Sequence, residues 1–330
     1  MLRIKTLALG AVLIAGLAPR ALHAANAYIQ HNLVADTPGV ADLTDPNLVN
    51  PWGIAISATS PFWLSDNGSG LATVYSTSST ATLTNTNVRV SIPAGAASSD
   101  PKGPVTGQIS NSTTVFLLAN GTKASFIFCT EAGTISAWNG GTVASNQVDN
   151  SSKGAVYKGL ALGGTAATPQ IYVANFNAGT IEVYDGNFAP VKLPAGAFTD
   201  PQILAGFAPF NVQNLGGKLY VTYAKQNAAK HDDDAGPGNG YVDIYDMNGA
   251  GLQRLVAGGS SQFSLGRGDC ARQFRFLFER LAGGQLWRWP HQCLRCNYGG
   301  FARRAPGFKG KHTQDFWAMG FAGGQWKERW

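Results

Sequence analysis

Ile171-Tyr172-Val173-Ala174-Asn175-Phe176 leads through Gly179 to Thr180-Ile181-Glu182-Val183-Tyr184-Asp185. β-Branched and aromatic residues give both halves strand propensity, and their alternation separates a buried face from an exposed one. The Asn- and Gly-containing step between them supplies the positive φ of a tight turn, so the stretch reads as a hairpin.

The same unit recurs on either side. Phe62-Trp63-Leu64-Ser65-Asp66-Asn67 leads through Gly68 and Gly70 to Ala72-Thr73-Val74-Tyr75. Phe126-Ile127-Phe128-Cys129-Thr130-Glu131 leads through Gly133 to Thr134-Ile135-Ser136-Ala137-Trp138. Leu219-Tyr220-Val221-Thr222-Tyr223 leads, after a longer loop, to Tyr241-Val242-Asp243-Ile244-Tyr245-Asp246. A further strand precedes three of the hairpins: Pro51-Trp52-Gly53-Ile54-Ala55-Ile56, Lys158-Gly159-Leu160-Ala161-Leu162 and Pro209-Phe210-Asn211-Val212. An inner strand followed by a hairpin, repeated at roughly 40–50 residues, has the size of a four-stranded propeller blade. A β-sandwich has short strands too, but not one strand–hairpin unit repeated in order. The fold class is therefore all-β, a β-propeller, with Trp52, Tyr75, Trp138 and Tyr184 in repeated blade positions. Scarce charge (13% Asp, Glu, Lys and Arg) and 41 glycines fit many short strands joined by tight turns better than helices.

Residues 1–27 read as a secretory signal. Arg3 and Lys5 give a positive start, Leu7 to Ala18 an apolar run, and cleavage fits after Ala24 or Ala27. The run is short for a membrane span, and no second run of spanning length exists, so no span is expected in the mature chain. The expected location is exported, periplasmic or extracellular.

Residues 28–261 carry the blades, and the character changes after them. Residues 262–330 hold 12 Lys/Arg and 4 Asp/Glu, against 13 and 15 in residues 1–261. The formal net charge of +6 thus comes from one tract and is no sign of a nucleic-acid partner. Three of the four cysteines, Cys270, Cys293 and Cys296, lie there too. Cys293 and Cys296 form a CxxC with only His291 nearby, too few ligands for zinc. Back-translated and read one base along, Ser261 to Gly266 permits LNSPWG, the motif of Pro51-Trp52-Gly53. Arg267 to Arg295 then permits VAIAPANFGSFSNALLVGNFGDGRINAYD, an inner strand and a hairpin of the Ile171–Asp185 kind. The tract reads as a shifted-frame remnant of the closing blade, leaving the last blade disrupted. In the given frame Arg267, Asp269, Arg272, Arg275, Glu279 and Arg280 interrupt any period of 2, so residues 262–315 are expected not to complete a ring.

LVNPWGIAI (Leu48 to Ile56), FIFCTEAGTISAW (Phe126 to Trp138), YVANFNAGTIEVY (Tyr172 to Tyr184) and HDDDAGPGNGYV (His231 to Val242) resemble a conserved-hypothetical family of secreted bacterial β-propellers. The chain is more distantly similar to NHL-repeat and gluconolactonase-type propellers. The resemblance implies six blades and export, and supplies no activity.

Two groups of residues are candidates for chemistry. Asp66, Asn67, Glu131, Asn175 and Asn177 fall at the strand-to-turn step of their units and are expected on one rim of the channel. A lactonase-type propeller builds a metal site from such groups, and the metal activates water. Turn capping by Asn and Asp accounts for the same residues. His231, Asp232, Asp233 and Asp234 form an acidic, glycine-rich loop that suits a divalent metal such as Ca²⁺ through carboxylate oxygens, or simply solvent. No Ser–His–Asp set, P-loop or dinucleotide fingerprint is present. Two functions follow: a non-catalytic scaffold holding a small ligand or protein, and a metal-dependent hydrolase of the lactonase type.

Overall fold

The computed structural model of the protein describes residues 32–77, 83–234, 236 and 239–257. The signal-like segment, His31, and the tract from residue 258 onward, with Cys293, Cys296 and the shifted-frame reading, lie outside the described residues.

A short parallel pair, β1 (Val34–Ala35) and β2 (Leu43–Thr44), comes first. Four antiparallel sheets follow. The first is β3 (Pro51–Ala55), β4 (Phe62–Asp66), β5 (Leu71–Thr77) and β6 (Leu83–Ser91). The second is β7 (Val105–Ser110), β8 (Phe126–Thr130), β9 (Thr134–Trp138) and β10 (Ser145–Asp149). The third is β11 (Tyr157–Gly164), β12 (Pro169–Asn175) and β13 (Thr180–Asp185). The fourth is β14 (Phe207–Leu215), β15 (Lys218–Lys225), β16 (Gly240–Tyr245) and β17 (Gly251–Val256).

Strand order within every sheet follows the chain. The first strands pack side by side, β3 on β7, β7 on β11 and β11 on β14. That is the layout of consecutive propeller blades around an axis. Among the described residues there is no α-helix, only one 3₁₀ turn at Ser151–Lys153. No helix among them is long and apolar enough to cross a membrane.

Two of the sheets depart from the sequence expectation. The third sheet has three strands instead of four. The chain after β13 touches it through a Tyr184–Pro190 bridge and a Val191 N–H to Val183 O bond of 2.8 Å. Pro190 and Pro194 lack the N–H groups that a fourth strand would donate. The second sheet has an inner strand, β7, that the apolar pattern does not reveal, because Thr106, Gly107 and Gln108 break it.

The hairpins superpose in register. Tyr75 opposes Phe62, Trp138 opposes Phe126, Tyr184 opposes Ile171 and Tyr245 opposes Leu219. Gly70, Gly133 and Gly179 hold the turns at φ 68°, 76° and 73°. Trp52 does not belong to this aromatic set; it lies on an inner strand.

Each inner strand carries a bulge near its start. Register shifts fall between Pro51 and Ile54, Val105 and Gly107, Tyr157 and Gly159, and Pro209 and Asn211. The residues left out of the ladder are Trp52 and Gly53, Thr106, Lys158 and Phe210. A bulge re-aims such a side chain. The glycines beside the bulges let inner strands approach closely: a Cβ on Gly107 would stand 3.0 Å from Gly159 Cα, and one on Gly53 2.8 Å from Thr106 O.

The core lies between sheets. Trp63, Phe126 and Phe128 fill the first interface, with Trp63 and Phe126 stacked at 4.3 Å. Phe116, Ile127, Tyr157, Ile171 and Val173 fill the second, and Tyr172, Phe198, Val212, Leu219 and Tyr245 the third. Burying each large side chain contributes about 1.5–3 kcal/mol. Buried tyrosine hydroxyls find partners: Tyr157 and Tyr184 each donate to Glu182 Oε2 at 2.7 Å, and Tyr75 donates to Asp45 at 2.9 Å.

Candidate functional site

One backbone contact repeats in all four sheets. The residue that follows each second strand donates its N–H to the carbonyl just before the inner strand. Asn67 donates to Asn50 O at 3.1 Å, Glu131 to Pro104 O at 3.0 Å, Phe176 to Val156 O at 2.8 Å and Gln226 to Gly206 O at 2.7 Å. Asn67, Glu131, Phe176 and Gln226 are thus equivalent positions at one end of the inner strands. The bulges lie beside them, close to Lys158.

The Lys158 side chain is 1% exposed. Its ammonium donates to Glu131 Oε1 and lies 3.3 Å from Asp232 Oδ1. Three aromatic rings surround it, with centroids at 5.1 Å (Trp52), 5.7 Å (Phe210) and 5.8 Å (Phe176). Trp52 and Phe210 stack at 5.9 Å, and Phe176 meets Phe210 edge-on at 5.4 Å. All four sheets contribute: Trp52 from the first, Glu131 from the second, Lys158 and Phe176 from the third, Phe210 and Asp232 from the fourth. The cation–aromatic contacts and the paired carboxylates compensate the cost of burying the ammonium.

Both oxygens of Glu131 are engaged. Its Oε2 accepts from Asn67 Nδ2 at 2.8 Å, and Asn67 Oδ1 accepts from Asn50 Nδ2 at 3.1 Å. The Asp232 carboxylate is 61% exposed and also touches His231 Nδ1 at 3.1 Å. Burial works to raise the Asp232 carboxyl, but Lys158 and His231 together hold it below the usual carboxylate range.

The sequence candidates therefore separate. Asn67, Glu131, His231 and Asp232 come together, and Glu131, His231 and Asp232 place one ligand atom each within 4.8 Å of one another. Asp66 ends β4 with its carboxyl buried. Burial first, and the Asp45 charge second among the causes that raise it, push it up to about 8, and it accepts from Thr73 Oγ1 at 2.7 Å. Asn175 shapes its own turn: Oδ1 accepts the Ala178 N–H at 3.2 Å, while Nδ2 donates to Glu182 at 2.7 Å. The Asn177 side chain donates to Lys230 O at 3.5 Å. Asp234 pairs with Lys225 at 3.7 Å. Asp233 makes a bridge with Gln226, and burial raises its carboxyl. Of the three adjacent aspartates, Asp232 makes the direct ion pair with Lys158, Asp233 feels the same ammonium at longer range, and Asp234 pairs with Lys225.

Lys158, Trp52, Phe176, Phe210 and Asn50 are the site residues that the sequence reading did not select. One signal was present: a single charge inside the otherwise apolar strand Tyr157 to Leu162. Beside the network a cleft of about 380 Å³ opens to solvent, lined by Asn67, Ser98, Asp100, Lys102, Glu131 and His231 among others.

No family model matches the chain. Two curated relatives are uncharacterized proteins of Acanthamoeba polyphaga mimivirus. One is 30% identical over 241 residues, covering 69% of this chain and 56% of the relative. Another is 28% identical over 243 residues, covering 69% and 60%. The chain spans little more than half the length of these relatives. They are viral, whereas the sequence resemblance pointed to bacterial proteins. Among solved structures, the chain is similar to an exo-β-1,3-galactanase from Phanerochaete chrysosporium (TM-score 0.41, 11% identity, 69% of this chain and 54% of that one). It is also similar to a streptogramin B lyase (0.37, 13%, 62% and 57%) and to a putative 6-phosphogluconolactonase from Bacteroides uniformis (0.37, 10%, 63% and 57%).

Proposed function

We propose that the chain is an exported six-bladed β-propeller acting as a non-catalytic scaffold, which holds a small ligand or a protein at the mouth of its channel. Residues 1–27 as the export signal, 28–261 as the blades and 262–330 as the shifted-frame remnant of the closing blade belong to the same proposal. So does the absence of a nucleic-acid partner, because the positive charge is confined to that remnant.

The position of the Lys158 ammonium carries the reading. It sits between Glu131 and Asp232, where a divalent cation would have to bind, and it neutralises Glu131 from within. A hydrolytic metal needs several ligands and an open coordination position for water. The second reading, a metal-dependent hydrolase, is favoured by the convergence of Glu131, His231 and Asp232. It requires Lys158 to withdraw from its aromatic surroundings.

The test is calorimetric titration of the full chain with Ca²⁺, Mn²⁺ and Zn²⁺, together with a panel of lactones and esters. The expected result is no saturable metal uptake and no turnover. Metal-dependent hydrolysis that disappears in Glu131→Gln would overturn the scaffold reading.

A further inference from the structure

The two carboxylates on Lys158 are unlike each other. Glu131 is 8% exposed and held from behind by Asn67, which is held in turn by Asn50. It is a built-in counter-ion. Asp232 is 61% exposed and comes from the loop between β15 and β16. Its carboxylate reaches Lys158 from the solvent side, and its other side-chain contact is the exposed ring of the neighbouring His231.

The surroundings of Lys158 suit an occupant other than an aspartate. An ammonium has three donors, and among the described residues two carboxylate oxygens take them here. Trp52 and Phe210 are only half-buried, so they offer apolar surface beside the charge. Asp232 itself has a single methylene and leaves that surface unused. The cleft borders this group through Glu131 and His231, which line it together with the oppositely charged Lys102 and Asp100.

We propose that Lys158, Trp52 and Phe210 form a binding site for a small monocarboxylate with an aromatic or branched apolar body, and that Asp232 occupies the carboxylate position when the ligand is absent. The ligand carboxylate replaces Asp232 on the ammonium, and its body covers the faces of Trp52 and Phe210. Glu131 stays in place and keeps the ammonium anchored. This inference rests on the scaffold reading, because it needs Lys158 and not a metal at the axis.

Binding follows the same physics as the internal pair. A desolvated ammonium and an aromatic wall recognise charge and shape together. The Asp232 carboxylate competes with the ligand at high effective concentration. Removing it raises affinity without adding a contact.

The experiment titrates the full chain with phenylacetate in EDTA, following Trp fluorescence and heat. Phenylacetamide serves as the uncharged control. Asp232→Ala is expected to bind phenylacetate about tenfold more tightly than the starting protein. Asp234→Ala, on the same loop but paired with Lys225, is expected to leave affinity unchanged. Phenylacetamide is expected not to bind, and Lys158→Met to abolish binding. Equal affinity in the Asp232→Ala variant and the starting protein would overturn the inference, as would equal binding of phenylacetamide. Because Asp232 lies on the surface, its variant remains informative even where Lys158→Met fails to fold. EDTA separates the two proposals: the scaffold reading fails on metal-dependent turnover, and this one fails on the metal-free titration.

Discussion

Replacing Asp66 with asparagine should make the protein more stable at neutral pH and remove part of its pH dependence. Asp66 is fully buried at the end of β4. Oδ2 accepts from Thr73, while Oδ1 has no hydrogen-bond partner among the described residues. Burial is the main reason that its carboxyl is raised from 3.8 to about 8. In the folded state the group is therefore mainly protonated at pH 7, and in the unfolded chain it is ionised. A raised folded pKa means that the folded state binds the proton more tightly. The associated stability is fully present below pH 3.8 and is lost as pH rises towards about 8. Each pH unit in this window removes about 1.4 kcal/mol, so by pH 7 the loss is about 4 kcal/mol.

The Asp66→Asn side chain would keep the shape and the acceptor for Thr73 without needing a proton. Its amide donors would face the unpartnered Oδ1 side, which takes back about 1–3 kcal/mol. The net expectation is a gain of about 1–3 kcal/mol at pH 7 and a deficit near pH 4. Urea denaturation of both proteins at pH 5, 6, 7 and 8 measures this. The stability difference should grow in favour of Asp66→Asn by about 1.4 kcal/mol per unit and level off above the folded pKa. Parallel stability curves across the window would refute the reasoning, because the carboxyl would then titrate alike in both states.

Two further outcomes test the axis itself. Lys158→Met leaves Glu131 buried and unpaired and should cost about 3–5 kcal/mol, part of which is regained on adding Glu131→Gln; urea curves of the two single variants and the double variant give the coupling. Gly107→Ala should lower stability by about 1–3 kcal/mol, because its Cβ would press on Leu160 and on the Gly159 backbone, and the thermal midpoint should fall accordingly.

The hairpin strands and their turns were legible in the sequence because their causes are local, whereas the outer strands β6, β10 and β17 were not read from it. Alternation over Phe62–Asn67, Phe126–Glu131 and Ile171–Phe176 defines a buried face within a few residues. Gly70, Gly133 and Gly179 mark the turns because φ must be positive there. The equivalence of Tyr75, Trp138 and Tyr184 followed from the same repeat, and so did that of Asn67 and Glu131 at the strand-to-turn step. What the local pattern could not carry was the bulge, which is a property of two paired strands and not of one. Period-2 reading counts Trp52, Thr106, Lys158 and Phe210 as ordinary strand residues. The register shifts in β3, β7, β11 and β14 take them out of the ladder. The polar β7 escaped detection for a related reason: it is an inner strand packed between β3 and β11, where Gly107 and Thr106 serve close backbone approach and not an apolar face. Likewise Asp232 looked like one of three equal aspartates, and only the folded loop brings its carboxylate to 3.3 Å from the Lys158 ammonium. Local chemistry thus determined which segments become strands, and the packing of four sheets around one buried ammonium decided which side chains meet, because contacts between residues far apart along the chain leave no period in it.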